Sequence, residues 1–163
     1  MKLPLESFNH IPEQEARAAL HECCASIGWV EAMIARRPFK NEAGLLSAAE
    51  EIWWRLGEAD WLEAFAGHPQ IGAGESDQRW PDQEQSGMRT AGAGTKFSME
   101  QGNRAYFEKF GYIYIVCATG KTGEEMLAIL NERLKNDRAT EIRAAASEQI
   151  KITQLRLRKM LTT

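Results

Sequence analysis

Three short stretches carry side chains suited to proton transfer and polar recognition. The first is Gly67-His68-Pro69-Gln70-Ile71-Gly72. Histidine is the side chain that exchanges protons most readily near neutral pH. Pro69 pushes the preceding residue out of the α region, so His68 is expected at or just past a helix C-terminus. The negative end of the helix dipole there favours an imidazolium, which suits an acid. The same position also suits a histidine that simply caps the last carbonyls. The second stretch is Asp82-Gln83-Glu84-Gln85-Ser86-Gly87. Glu84 falls in an expected first helical turn, where a carboxylate stays ionised. It is either a functional acid or an ordinary helix-start residue. Gln85 can read a polar ligand, and taken alone it is a surface side chain. The third is Asn103 to Gly111, where Tyr106, Phe107 and Phe110 read as core aromatics and Asn103 as a buried hydrogen-bonding strut.

Other groupings are weaker. His21-Glu22-Cys23-Cys24 lacks zinc-ligand spacing and a second ligand pair, so no metal is expected. Gly120-Lys121-Thr122 echoes a phosphate-binding loop, but Ile115 stands where that motif needs its first glycine. No nucleophile elbow and no dinucleotide fingerprint is present.

The elements that must position these residues are helical. One helix is expected to be capped by Asn9 or His10, with Pro12 in its first turn. A second covers Trp29, Val30, Met33 and Ile34 and stops before Pro38. A third runs from about Glu42 to Leu56, and a short fourth from Ala59 to Phe65. Residues 67 to 79 read as a loop, with a helix starting at Trp80-Pro81-Asp82. Ala91-Gly92-Ala93-Gly94 reads as a flexible connection, Ser98 as the cap of the next helix and Gly111 as its end. Tyr112 to Ala118 is the one strand-like run, and with no partner strand it forms no sheet. Thr122 with Glu124 and Glu125 opens a further helix, and the last runs from about Arg138 to Leu161.

In that last helix Ile150, Leu157 and Leu161 share one face, while Ile152 and Leu155 lie on another beside Arg156. A helix apolar on two sides packs between neighbours. Arg156 then emerges against packed surface, where it needs an acidic partner or an anionic ligand. The expected architecture is an all-α, single-domain bundle of about eight helices spanning residues 1–163, without a substantial sheet.

Composition agrees. The chain has 163 residues, 44% hydrophobic and 26% charged, within the range of one globular domain. Its net charge of −3 gives no electrostatic footprint for nucleic acid or an anionic membrane. Cys23, Cys24 and Cys117 are too few and too oddly placed for a disulfide framework, which points to the cytoplasm. No stretch has the secretory h-region or the ~20 apolar residues of a membrane helix. Trp53, Trp54 and Trp61 are either core aromatics or anchors of an interface.

The order of the motifs carries more than any one of them. His68-Pro69-Gln70-Ile71-Gly72, Glu84-Gln85-Ser86-Gly87, Asn103-Arg104-Ala105-Tyr106 and Lys109-Phe110-Gly111 follow one another. Tyr114-Ile115-Val116-Cys117-Ala118, Gly120-Lys121, Asn131-Glu132-Arg133-Leu134 and Leu155-Arg156-Leu157 complete the series. The set resembles the 2-oxo-4-hydroxy-4-carboxy-5-ureidoimidazoline (OHCU) decarboxylase family over nearly the whole chain. The resemblance implies a helical fold, a homodimer, and decarboxylation of a small ureidoimidazoline to (S)-allantoin in uric acid breakdown. It implies no metal and no organic cofactor. His68 takes the place of the family's catalytic histidine, Glu84 its glutamate and Arg156 its late arginine, with Arg158 as the alternative. Substrate contacts are implied at Pro69 and Gln85 and along the backbone of Tyr114, Ile115, Val116, Cys117 and Ala118. Two departures stand out: Pro81 replaces a common serine, and the loop from Gly72 to Trp80 differs from longer family versions.

That chemistry is consistent with the residues. Decarboxylation leaves an electron pair, which the substrate's own imidazolone ring and carbonyl can delocalise, so the residues need supply no electron sink. The protein has to hold the carboxylate, stabilise developing charge and protonate one face. The competing reading is a helical interaction module in which His68 and Glu84 are caps and Arg156 pairs with a surface acid. A hydrolase acting on the preceding intermediate fits less well, because no Ser or Cys nucleophile with a placed base is visible.

Overall fold

Local signals set most helix boundaries. Ser26 caps α3 (Ile27–Ala35) by accepting from the Trp29 amide, and α3 ends ahead of Pro38. Asn41 caps α4 (Glu42–Arg55) through the Gly44 amide. Thr122 and Glu125 form a reciprocal capping box at the start of α8 (Gly123–Arg133), satisfying two orphan amides at once. Gly111 ends α7 (Ala93–Phe110) with φ 83°, a left-handed conformation that costs a glycine nothing. The remaining helices are α1 (Leu5–His10), α2 (Glu13–Cys23), α5 (Glu58–Ala66), α6 (Ser86–Arg89) and α9 (Arg138–Met160). These nine helices belong to a computed structural model that describes residues 2–72 and 86–161. The expected helix start at Trp80-Pro81-Asp82 lies outside the described residues.

Two expectations are corrected. Asn9 and His10 do not cap α2; they close the extra helix α1, and Pro12 is the residue before α2. Asn9 is instead used at long range, donating to the Phe39 carbonyl at 2.8 Å and accepting from the Phe39 amide at 2.9 Å. Ser98 does not cap α7 either, because the helix already begins at Ala93 after an extended Gly92. Ala93-Gly94, which reads as a linker, is thus the first turn of the helix that follows.

The described chain forms two compact units. One comprises Met1–Gly67 and Ile150–Thr163, the other His68–Gln149, so α9 contributes its two ends to different units. In the first unit, Trp29 and Trp53 are fully buried and Trp61 nearly so, while Trp54 is 37% exposed. Two of the indole N–H groups have carbonyl partners: Trp29 donates to the Ala49 carbonyl at 3.1 Å and Trp61 to the Trp53 carbonyl at 3.0 Å. Arg37 donates to the carbonyls of Phe8 and Ile11 at 2.8 and 3.0 Å, securing the end of α1. A single parallel bridge pairs Leu3 with Leu161. Among the described residues no helix is long and apolar enough to cross a membrane.

Cys23 and Cys24 are buried in this unit. Burial pushes the Cys23 thiol up to about 12, against the opposing pull of the Arg156 charge, and the Cys24 thiol up to about 11. The thiolate is the reactive form, so native protein at pH 8 is expected to resist iodoacetamide at both positions. In the unfolded chain each thiol ionises from about 8.5. Their contribution to stability is therefore intact below that pH and is lost as pH rises towards about 12. Mass-resolved alkylation checks the first expectation and urea midpoints from pH 8 upward the second. Rapid labelling of folded protein at pH 8 would contradict both.

The second unit contains α6, α7, α8 and the first half of α9, with the extended run from Tyr112 to Ala118 threaded among them. α7 and α8 approach closely at Gly102, where an added Cβ would lie 2.5 Å from Leu130 Cδ2. The strand-like run is buried at every position except the half-buried Ile113, and it pairs with no strand. Its anchors are side chains. The Tyr114 hydroxyl donates to the Met126 carbonyl at 2.9 Å, and the Arg133 guanidinium donates to the Ile115 carbonyl. Arg133 is in turn paired with Glu141, Nη2 to Oε2 at 2.6 Å, with side-chain exposures of 10% and 0%. The Tyr106 hydroxyl and Asn136 also donate to Glu141. Burial alone would lower the Arg133 pKa; the Glu141 hydrogen bonds and charge outweigh it and raise it.

Candidate active site

His68 follows Gly67, the C-cap of α5, as Pro69 requires of the residue before it. It is half-buried, and its Nε2 lies 2.6 Å from Oε1 of Gln149, a fully buried residue of α9. The imidazole is thus held by a group 81 residues away in the sequence. Pro69 and Gln70 are also half-buried. Asn103 is the strut expected of it: 5% exposed, it donates to the Ile71 carbonyl at 2.7 Å and ties the His68 loop to α7.

The run Tyr114, Ile115, Val116, Cys117 and Ala118 is held by the same turn of α9 that holds His68. Glu148, next to Gln149, accepts from the Cys117 amide at 3.1 Å. Lys121 donates to the Cys117 carbonyl at 2.7 Å. The low-dielectric setting strengthens any such contact.

The other candidate residues divide. Arg156 belongs to the first unit, where it is 4% exposed and donates to the Glu22 carbonyl at 3.4 Å. Arg158 is exposed and lies 3.9 Å from Glu42, an exposed carboxylate. Burial and a backbone contact make Arg156 the built-in guanidinium of the two. Glu84 and Gln85 lie outside the described residues. Sequence reasoning did not pick out Gln149, Glu148 or Glu141. An acid eight residues after Arg133 on a following helix was the available signal for Glu141; nothing local marks Gln149.

The OHCU decarboxylase family profile matches residues 9–158. The chain belongs to the OHCU decarboxylase family. Among curated OHCU decarboxylase relatives, the uric acid degradation bifunctional protein TTL of Arabidopsis thaliana is 35% identical over 148 residues, covering 86% of this chain. The chain spans 45% of that bifunctional protein's length. The 2-oxo-4-hydroxy-4-carboxy-5-ureidoimidazoline decarboxylase of Amia calva is 33% identical over 132 residues, 77% of this chain and 75% of that protein. A crystal structure of OHCU decarboxylase in the presence of (S)-allantoin is 35% identical, with a TM-score of 0.77, covering 86% of this chain and 94% of the other. The helical OHCU decarboxylase fold expected from the motif series is therefore the fold of this chain.

Proposed function

We propose that the chain decarboxylates 2-oxo-4-hydroxy-4-carboxy-5-ureidoimidazoline, giving (S)-allantoin and carbon dioxide within uric acid degradation. The observation that carries this reading is the family match over residues 9–158, in which a half-buried histidine is held by a buried glutamine. The C–C bond to the carboxylate breaks, carbon dioxide leaves, and its bonding electrons pass into the imidazolone ring and carbonyl. His68 then delivers a proton to one face of the resulting enolate-like carbon, which sets the handedness of the product. Glu84 accepts hydrogen bonds from the ureido or hydroxyl groups, with Gln85 beside it. Arg156 takes an oxygen-rich edge with two parallel N–H bonds. Backbone along Ile115 to Ala118 steadies the developing oxyanion, and Pro69 lines the substrate. No metal or organic cofactor takes part in this scheme.

The whole chain, 1–163, acts as one domain in this reading, as a homodimer in the cytoplasm. Supplying freshly made urate-oxidation product and following circular dichroism tests it. A chiral allantoin signal, rising faster than the spontaneous racemic decay, is the expected outcome. Decay at the spontaneous rate, with racemic product, would leave a helical interaction module as the better description.

A further inference from the structure

Three charged side chains back the extended run, one on each of three successive peptide groups. Arg133 donates to the Ile115 carbonyl, Glu148 accepts from the Cys117 amide at 3.1 Å, and Lys121 donates to the Cys117 carbonyl at 2.7 Å. A trans peptide is planar, so its N–H points away from its own C=O. The Ile115 carbonyl shares a peptide with the Val116 amide, and the Cys117 carbonyl shares one with the Ala118 amide. Each cation therefore lies behind a unit whose N–H points away from it. In the peptide between them the acid lies behind the N–H, which leaves the Val116 carbonyl pointing the other way. An extended chain sends these three backed groups out of one edge. Its opposite edge carries the Val116 N–H, the Val116 carbonyl and the Ala118 N–H in that order. Val116 and Ala118 are buried, 2% and 6% exposed.

We propose that Lys121 is a positioning residue of the reaction, acting through the Cys117–Ala118 peptide to make the Ala118 amide a stronger donor to the substrate oxygen that gains charge. Arg133 does the same for Val116 from the Ile115 carbonyl. This rests on the decarboxylase reading above and deepens it. A cation on the carbonyl draws electron density out of the peptide nitrogen through the resonance that keeps the unit planar. Hydrogen bonds to ionised groups are roughly twice as strong as neutral ones, and linked bonds strengthen one another by about 10–30% each. The ammonium is not needed to shape the backbone. The turn from Ala118 to Lys121 is closed by its own bond, from the Lys121 amide to the Ala118 carbonyl at 3.0 Å, with Gly120 at φ 79°. Anchoring the run needs no charge either, since the Tyr114 hydroxyl holds the Met126 carbonyl at 2.9 Å. What the half-buried Lys121 adds is positive charge on one carbonyl. Oxyanion charge grows as the C–C bond breaks, so a sharpened donor favours the transition state over the bound substrate, and its effect falls on kcat.

Three variants of the full chain test it. Lys121→Met removes donor and charge, Lys121→Gln keeps a neutral donor, and Lys121→Arg keeps the charge. In isotope-labelled protein without ligand, the Ala118 amide nitrogen resonance is expected to move upfield in the Met and Gln variants and to return towards wild type in the Arg variant. The Val116 resonance, backed by the untouched Arg133, is the internal control and stays in place. Turnover of fresh urate-oxidation product is expected to show kcat about tenfold lower in the Met and Gln variants, with KM changed less than about twofold and most of the loss recovered by arginine. Losing an oxyanion donor outright costs about a hundredfold to a thousandfold, and a weakened donor costs less. A folded Lys121→Met protein with an unmoved Ala118 resonance would overturn the proposal. So would a moved resonance with wild-type kcat, or equal losses of kcat in the Arg and Met variants. Wild-type protein that leaves the substrate to its spontaneous racemic decay removes the decarboxylase reading instead. The Ala118 shift needs no substrate, and it then decides by itself whether the ammonium polarises the peptide.

Discussion

Replacing His68 with asparagine is expected to lower turnover by about two to four powers of ten while leaving the protein folded. The side chain is half-buried, so the exchange opens no large cavity. Asparagine offers an amide but no proton of suitable acidity. Because the spontaneous decay of the substrate continues, the lost activity appears as racemic in place of chiral allantoin. Gln149→Leu is the companion experiment. In the proposed scheme Gln149 acts through His68, as a positioning residue. Its loss removes the 2.6 Å bond to Nε2 and is expected to lower kcat by up to about a hundredfold with little change in KM. Gln149→Glu keeps an acceptor oxygen and should recover part of the loss. Near-normal chiral conversion by folded His68→Asn would remove the proton-donor role. Equal, unrescued losses in both Gln149 variants would make Gln149 a core residue only.

The pattern of what the sequence discloses follows from range. Pro38, Gly111 and the Thr122–Glu125 box act within a few residues, and the helices they bound are legible from the chain. Ala93-Gly94 misleads because a small-residue pair has the composition of a linker, whereas the choice between linker and first turn is made by tertiary packing of the helix that follows. The buried Tyr112 to Ala118 run is legible as extended and unpaired, but the groups that replace a sheet's hydrogen bonds are not. Met126, Arg133 and Glu148 are 12, 18 and 31 residues from the positions they hold. The same is true of the candidate site. His68 is recognisable by its proline and its motif; the glutamine that holds its ring sits in an otherwise ordinary helix. Arg156 is flagged by helical phase alone, since an arginine between two apolar faces has to end near packed surface, and it is 4% exposed.

The largest stability effect is expected at Glu141. Its carboxylate is fully buried and accepts from Arg133, Tyr106 and Asn136, while Arg133 spends a remaining N–H on the Ile115 carbonyl. Arg133 also lies over the Tyr114 ring, 5.0 Å from its centroid. Glu141→Leu leaves a buried guanidinium without its counter-charge, so unfolding free energy is expected to fall by about 3–5 kcal/mol. That is a large share of the roughly 5–15 kcal/mol of a typical domain. Removing both partners is a different matter. Arg133→Met with Glu141→Leu eliminates the stranded charge and is expected to recover much of the loss, because apolar packing often replaces a buried pair at no net cost. The double variant still lacks the donor to Ile115. It should therefore fold with nearly wild-type stability in urea titrations and yet turn over slowly, since the Ile115 end of the run has then lost the donor that fixes its carbonyl, while Glu148 and Lys121 hold only Cys117. A single Glu141→Leu variant losing less than about 1 kcal/mol would show that the pair is relieved by solvent. A fully active double variant would show that the run is positioned without Arg133.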